Sequence, residues 1–141
     1  MRLNHLCDVD WTYELLSEVE GSDRRDGRVY GQGRATLRGR LSGTADWSNY
    51  PRIRKGFAWP NACGVIHLAN GGDVLFDLHG LSSLDDGRGV HVMRFETSVP
   101  DHVWLNDVVA LGEGVVDVEH SRLSMRYYEC SVELPLPGFM G

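Results

Sequence analysis

Four polar residues in two short apolar runs carry the densest potential chemistry in this sequence: Asp77 and His79 in VLFDLHG, and Arg94 and Glu96 in VHVMRFET. Each pair is spaced two apart, so in extended chain both members share one face. If those faces turn into an apolar interior, all four groups are desolvated together, and their displaced pKa values suit proton transfer. The catalytic candidates are therefore Glu96, Asp77 and His79, with Arg94 as a substrate-binding partner. The opposite parity is as well formed, because Val74, Phe76 and Leu78 make a complete core face; the polar four are then a solvated cross-strand cluster.

A second set could build one end of a small-molecule pocket. Trp104 and Asn106 lie two apart in VWLND, and Asp46 directly precedes Trp47. A tryptophan offers a flat apolar wall and an asparagine offers both a donor and an acceptor. Trp104, Asn106, Trp47 and Asp46 are the further substrate-binding candidates. Because FET and WLN are joined only by the short SVPDHV, Glu96 is expected to share a pocket with Trp104 and Asn106. Each residue also has a plain structural role: wall packing or a plug for the tryptophans, turn caps for Asp46 and Asn106.

Other chemistries find less support. His67, His79 and His91 could join Asp77 or Glu96 around zinc or iron, but no HxH or HExxH spacing brings them together, so neither a metal nor a cofactor is expected. His91 falls on the face of Met93 and Phe95, which suits a hydrogen-bonded core histidine. Gly31-Gln32-Gly33 lacks the third glycine, the helix and the downstream acid of a dinucleotide site. No serine stands in GxSxG. Cys63 and Cys130 have no evident histidine base and read as structural.

The elements that must position these residues are strands. From Arg28 to Trp47 the chain separates into Val29, Gly31, Gly33, Ala35, Leu37, Gly39 and Leu41 against Tyr30, Gln32, Arg34, Thr36, Arg38, Arg40 and Ser42. Period-two alternation of this length means one long strand or a hairpin with one buried face. The glycines lie on the apolar side, where a sheet can coil sharply or another backbone can approach. Upstream, Val9, Trp11, Tyr13 and Leu15 alternate with Asp8, Asp10, Thr12 and Glu14 as a first strand. Downstream, SNYPRIRKGFAWPN reads as an irregular loop over a barrel mouth. GVIHLA, NGGD and VLFDLHG form a hairpin, and SVPDHVWLND holds at most a helical turn. GVHVMRFET, VVALGEGVVDVEH and SRLSMRYYECSVEL complete the strands. The sum is an all-β chain, a single antiparallel β-barrel of roughly seven to eight strands over residues 1–141, with 135–141 as a flexible tail.

In their order, RATLRGRLSGTADW, the NGGD hairpin and FETSVPDHVWLNDVVALGEG resemble a bacterial domain-of-unknown-function family, number 3237. The matching positions are Asp46 with Trp47, the Asn70 to Asp73 turn, Phe95 to Thr97, Trp104 to Asn106, and Gly112 with Gly114. Asn-Gly-Gly-Asp stands where that family has an acidic turn, and His67 departs from its preceding strand. The resemblance implies a barrel similar to that of allene oxide cyclase, a shape used for cofactor-free cyclisation and for simple ligand binding, and the barrel type leaves a homo-oligomer open. It implies no established activity.

Composition narrows the class. A net charge of −6 over 141 residues argues against nucleic acid as a partner. Nine of the 14 basic residues nevertheless lie between Arg24 and Lys55, and the Arg34, Arg38, Arg40 stripe could meet an anion or a protein, or simply be a solvated outer face. Three cysteines, Cys7, Cys63 and Cys130, leave at least one unpaired, which fits a reducing cytoplasm. No apolar run approaches a membrane span, and MRLNHLCDVDW is too polar for a signal peptide. The expected partner is a small, mostly apolar metabolite. Two functions remain open: a cofactor-independent isomerase, cyclase or lyase, or a non-catalytic binding or interaction barrel.

Overall fold

The computed structural model describes residues 1–20, 26–117 and 120–133; the expected tail at 135–141 lies outside the described residues. Ten strands follow in order: β1 (Arg2–Glu20), β2 (Gly27–Gly39), β3 (Gly43–Asn49), β4 (Arg52–Arg54), β5 (Phe57–Trp59), β6 (Asn61–Leu68), β7 (Asp73–Ser83), β8 (Arg88–Glu96), β9 (Val109–Asp117) and β10 (Arg122–Ser131). A 3-10 segment, Pro100–Asp107, joins β8 to β9. Eight strands close an antiparallel barrel in the cyclic order β1-β2-β3-β6-β7-β8-β9-β10.

Alternation decides what lies inside. Along β2, Gly31, Gly33, Ala35 and Leu37 are buried while Tyr30, Gln32, Arg34, Thr36 and Arg38 are exposed. The stretch that reads as one strand or a hairpin is a hairpin, turned at Arg40 to Ser42. Ser42 fixes the turn: its Oγ donates to the Gly39 carbonyl at 2.7 Å and accepts from the Gly39 N–H at 3.1 Å. At Gly39, φ is +143°, and a β-carbon would stand 2.6 Å from the Leu6 carbonyl oxygen. In β1, Val9 and Trp11 are buried as expected, but Leu15 is 47% exposed. A register shift between Tyr13 and Leu15 against β2 breaks the parity there, and the strand end runs on paired with β2 alone, beyond its pairing with β10, which ends at Thr12.

The two barrel ends differ. One is sealed by the 3-10 segment, whose Leu105 is 0% exposed and joins the core. Burying that side chain contributes on the order of 1.5–3 kcal/mol. At the other end, the stretch expected to be an irregular loop holds two three-residue strands. β4 pairs with β2, and β5 with β4 and β7, through a turn in which Lys55 and Gly56 both have positive φ. This small hairpin brings Pro51, Ala58 and Pro60 to the mouth. The β6–β7 hairpin is turned by NGGD, with the positive φ on Gly71 and Gly72. No helix among the described residues is long and apolar enough to cross a membrane.

Candidate functional site

The parity of β7 and β8 places the polar four on the outer wall. Val74, Phe76 and Leu78 on β7, with His91, Met93 and Phe95 on β8, are buried; Asp77, His79, Arg94 and Glu96 are exposed. They stay adjacent, since Asp77 is in register with Arg94. Register with the neighbouring strand decides it: Phe76 is paired with Phe95, so the two rings take the core together and Asp77 and Arg94 are turned outward. Glu96, Arg94 and Asn106 border an open depression that includes Asp73 and Thr97, whereas Trp104 is not among its walls.

Asn106 and Trp104 hold the sealed end together. The Asn106 side chain accepts from the Thr97 N–H at 2.8 Å and donates to the Thr97 carbonyl at 2.9 Å, fastening the 3-10 segment to the end of β8. Trp104 packs on the core, donates from its indole nitrogen to the Asp101 carbonyl, and lies 5.5 Å from the Arg40 guanidinium. Asp46 is exposed on β3, where its carboxylate and that of Asp73 each lie 2.9 Å from a ring nitrogen of His67. Those two carboxylates raise the His67 pKa.

Of the catalytic and substrate-binding candidates, Trp47 is the one that lines the interior cavity. At the open end of the barrel is a cavity of about 170 Å³, walled by Trp11, Tyr13, Trp47, Leu78 and Leu123 and roofed by Pro51, Ala58 and Pro60. Ser82, Asn49 and His91 are its polar members, and the described residues that line it include no Asp, Glu, Lys or Arg. The aromatic wall is rigid. Trp47 stands edge-on to Tyr13, with ring centres 4.8 Å apart, and to Trp11 at 6.0 Å, and its indole N–H donates to the Arg34 carbonyl at 2.8 Å.

Behind this wall runs a buried chain of three polar side chains. Trp11 Nε1 donates to the Tyr127 hydroxyl at 3.1 Å, and that hydroxyl lies 2.8 Å from His91 Nδ1. The direction follows from the donor inventory. An indole nitrogen can only donate, so the Tyr127 oxygen accepts from Trp11. Burial agrees with a neutral ring: His91 is 3% exposed, and desolvation lowers its pKa from 6.5 to about 4. Tyr127, 0% exposed, has its pKa pushed upward for the same reason.

Glycines make room for this chain. His91 on β8 is in register with Gly112 on β9, and Gly112 with Tyr127 on β10, so the histidine and tyrosine reach each other across a residue with no side chain. A β-carbon at Gly112 would collide with the Tyr127 ring. On its other side His91 is in register with Gly80, where a β-carbon would lie 3.1 Å from the imidazole. The second half of the Gly112 and Gly114 motif is similar, a β-carbon at Gly114 meeting the Met125 sulfur. The sequence places Trp11 and His91 on core faces and offers His91 a site role only as a possible metal ligand; Tyr127, Tyr13, Asn49 and Ser82 are not among its candidates. The signal for Tyr127 was the alternation Leu123, Met125, Tyr127; its partner 36 residues away became visible only through strand register.

The chain matches no family model and no curated protein. Its barrel does match solved structures. One is a protein of unknown function from Clostridium acetobutylicum, with TM-score 0.81 and 14% identity, covering 93% of this chain and all of that one. A β-barrel-like protein from Acinetobacter baumannii matches with TM-score 0.76 and 18% identity over 91% of this chain and 94% of that one. An enzyme from Penicillium herquei matches with TM-score 0.68 and 19% identity over the same shares. This chain shares their fold. At such identities the likeness extends no further.

Proposed function

We propose that the barrel is a container for one small, uncharged, mostly apolar metabolite, bound at the open end against Trp11, Tyr13 and Trp47. The observation that carries this reading is the cavity itself: about 170 Å³ of space, rigid aromatic walls, and a buried neutral histidine among the few polar groups on its surface. A cavity of about 150 Å³ with apolar walls takes up benzene, so the size suits a single ring or a short branched chain. We further propose membership of family number 3237, on the ordered motifs given above; in this structure its Trp-Leu-Asn forms the plug of the sealed end and its Gly-x-Gly lies beside Tyr127 and Met125.

A catalytic version of the same reading, cofactor-independent isomerisation, cyclisation or elimination, draws support from the fold shared with the Penicillium herquei enzyme. The titratable groups that line the cavity are His91 and Tyr13, whereas Asp77, His79 and Glu96 belong to the outer wall. Titration of the intrinsic Trp11 and Trp47 fluorescence with a panel of neutral one-ring compounds tests the container. Saturable binding by wild type and its loss in Ala62→Phe, which fills the cavity, are the expected results. Equal binding by the filled variant, or none by wild type, would overturn it.

A further inference from the structure

We infer that the container is selective for neutral aryl carbonyl compounds, aromatic ketones and aldehydes, whose carbonyl oxygen accepts a hydrogen bond from His91 Nε2–H. The inference rests on the container reading and adds a chemical class to it. Three observations carry it. First, His91 lines the cavity with its Nδ1 2.8 Å from the Tyr127 hydroxyl, which accepts from Trp11; with that hydroxyl donating to Nδ1, the ring's own proton sits on Nε2, the nitrogen left for a ligand. A donor at the end of an apolar space selects ligands with an acceptor, and one left unpaired by a hydrocarbon is penalised. Second, the Asn49 side chain is engaged, its oxygen accepting from the Asn61 N–H at 2.9 Å and its amide bonding Tyr13, which leaves His91 and the Ser82 hydroxyl among the polar groups of the lining. Third, no charged side chain stands among the described lining residues, so an aryl carboxylate or an arylamine cation would be desolvated without a counter-charge, whereas a carbonyl asks for one donor and no charge. The edge-on arrangement of Trp11, Tyr13 and Trp47 suits a flat ring over a flexible chain.

The test compares acetophenone with alpha-methylstyrene, which has the same shape with CH2 in place of oxygen, and with benzoate. Wild type should bind acetophenone about tenfold more tightly than alpha-methylstyrene, the size of one hydrogen bond gained plus one donor no longer stranded. Benzoate should bind least. His91→Leu should abolish the preference by weakening acetophenone alone. Equal affinity for the two isosteres in wild type would overturn the inference and leave the container intact; binding of neither would overturn both. Tautomer measurement keeps the proposal decidable even where the leucine variant fails to fold: long-range proton–nitrogen correlation spectra of wild type should show His91 protonated at Nε2 and bare at Nδ1. A proton on Nδ1 would overturn it.

Discussion

The buried neutral histidine makes the stability of this barrel depend on pH in a way that can be worked out. In the unfolded chain an imidazole binds a proton near pH 6.5; in the barrel, burial delays that to about 4. Between these values the unfolded chain holds the extra proton, so acidification favours it and stability falls as pH falls. The contribution is complete above pH 6.5 and exhausted below 4. For one group with these two pKa values the loss is about 2 kcal/mol between pH 7 and pH 5, with a slope approaching 1.4 kcal/mol per pH unit. Urea unfolding at several pH values, with the midpoint converted through a constant m-value, measures it. His91→Gln should flatten the curve in that window. Neighbouring titrations fall elsewhere: Asp8, held to about 2 by hydrogen bonds from Arg126 and His5, acts only below its ordinary 3.8. His67, raised by Asp73 and Asp46, contributes below its unfolded pKa and loses that contribution as pH rises through its folded one, the opposite sense in a higher window. A wild-type curve flat from pH 7 to 5, or an unchanged slope in His91→Gln, would refute the buried neutral ring.

Gly112→Ala should cost about 1–3 kcal/mol in urea unfolding, because its methyl group meets the Tyr127 ring, and should quench ligand binding with it; a variant as stable as wild type would mean that the ring moves aside freely. Gly39→Val should cost a similar amount, on the order of 1–3 kcal/mol, from positive φ and contact with the Leu6 carbonyl, measured by thermal melts. Asn106→Ala removes both bonds to Thr97 and should lower the melting temperature without changing affinity at the open end. Chelator with reductant should leave the far-UV spectrum unchanged, since Cys7, Cys63 and Cys130 are all free and the described residues hold no cluster of three metal-ligating side chains; unfolding under chelator alone would contradict this.

Much of the architecture was legible because burial in a sheet is written at period two. The alternation of β2, the NGGD turn and the Val74, Phe76, Leu78 face each encode local extended structure, and together they yield the closed barrel. What local pattern cannot carry is parity relative to distant strands. Both faces of VLFDLHG are well formed, so the choice between Asp77 and Phe76 as interior is made by the neighbours, and the barrel chose Phe76. Leu15 shows the complementary failure: a one-residue register shift flips its face, and no single strand announces it. The His91 and Tyr127 pair is less legible still, because it depends on two strands reaching across Gly112. The glycine was visible in the sequence as part of a motif, but its purpose was not.

Crystallography with para-bromoacetophenone tests the central claim most directly, because the halogen can be located by its anomalous scattering. The ring should lie against Trp11, Tyr13 and Trp47, the bromine toward Pro51 and Pro60 at the mouth, and the carbonyl oxygen within hydrogen-bond distance of His91 Nε2. Bromine found instead in the outer depression beside Glu96 and Asn106, with the cavity empty, would contradict it.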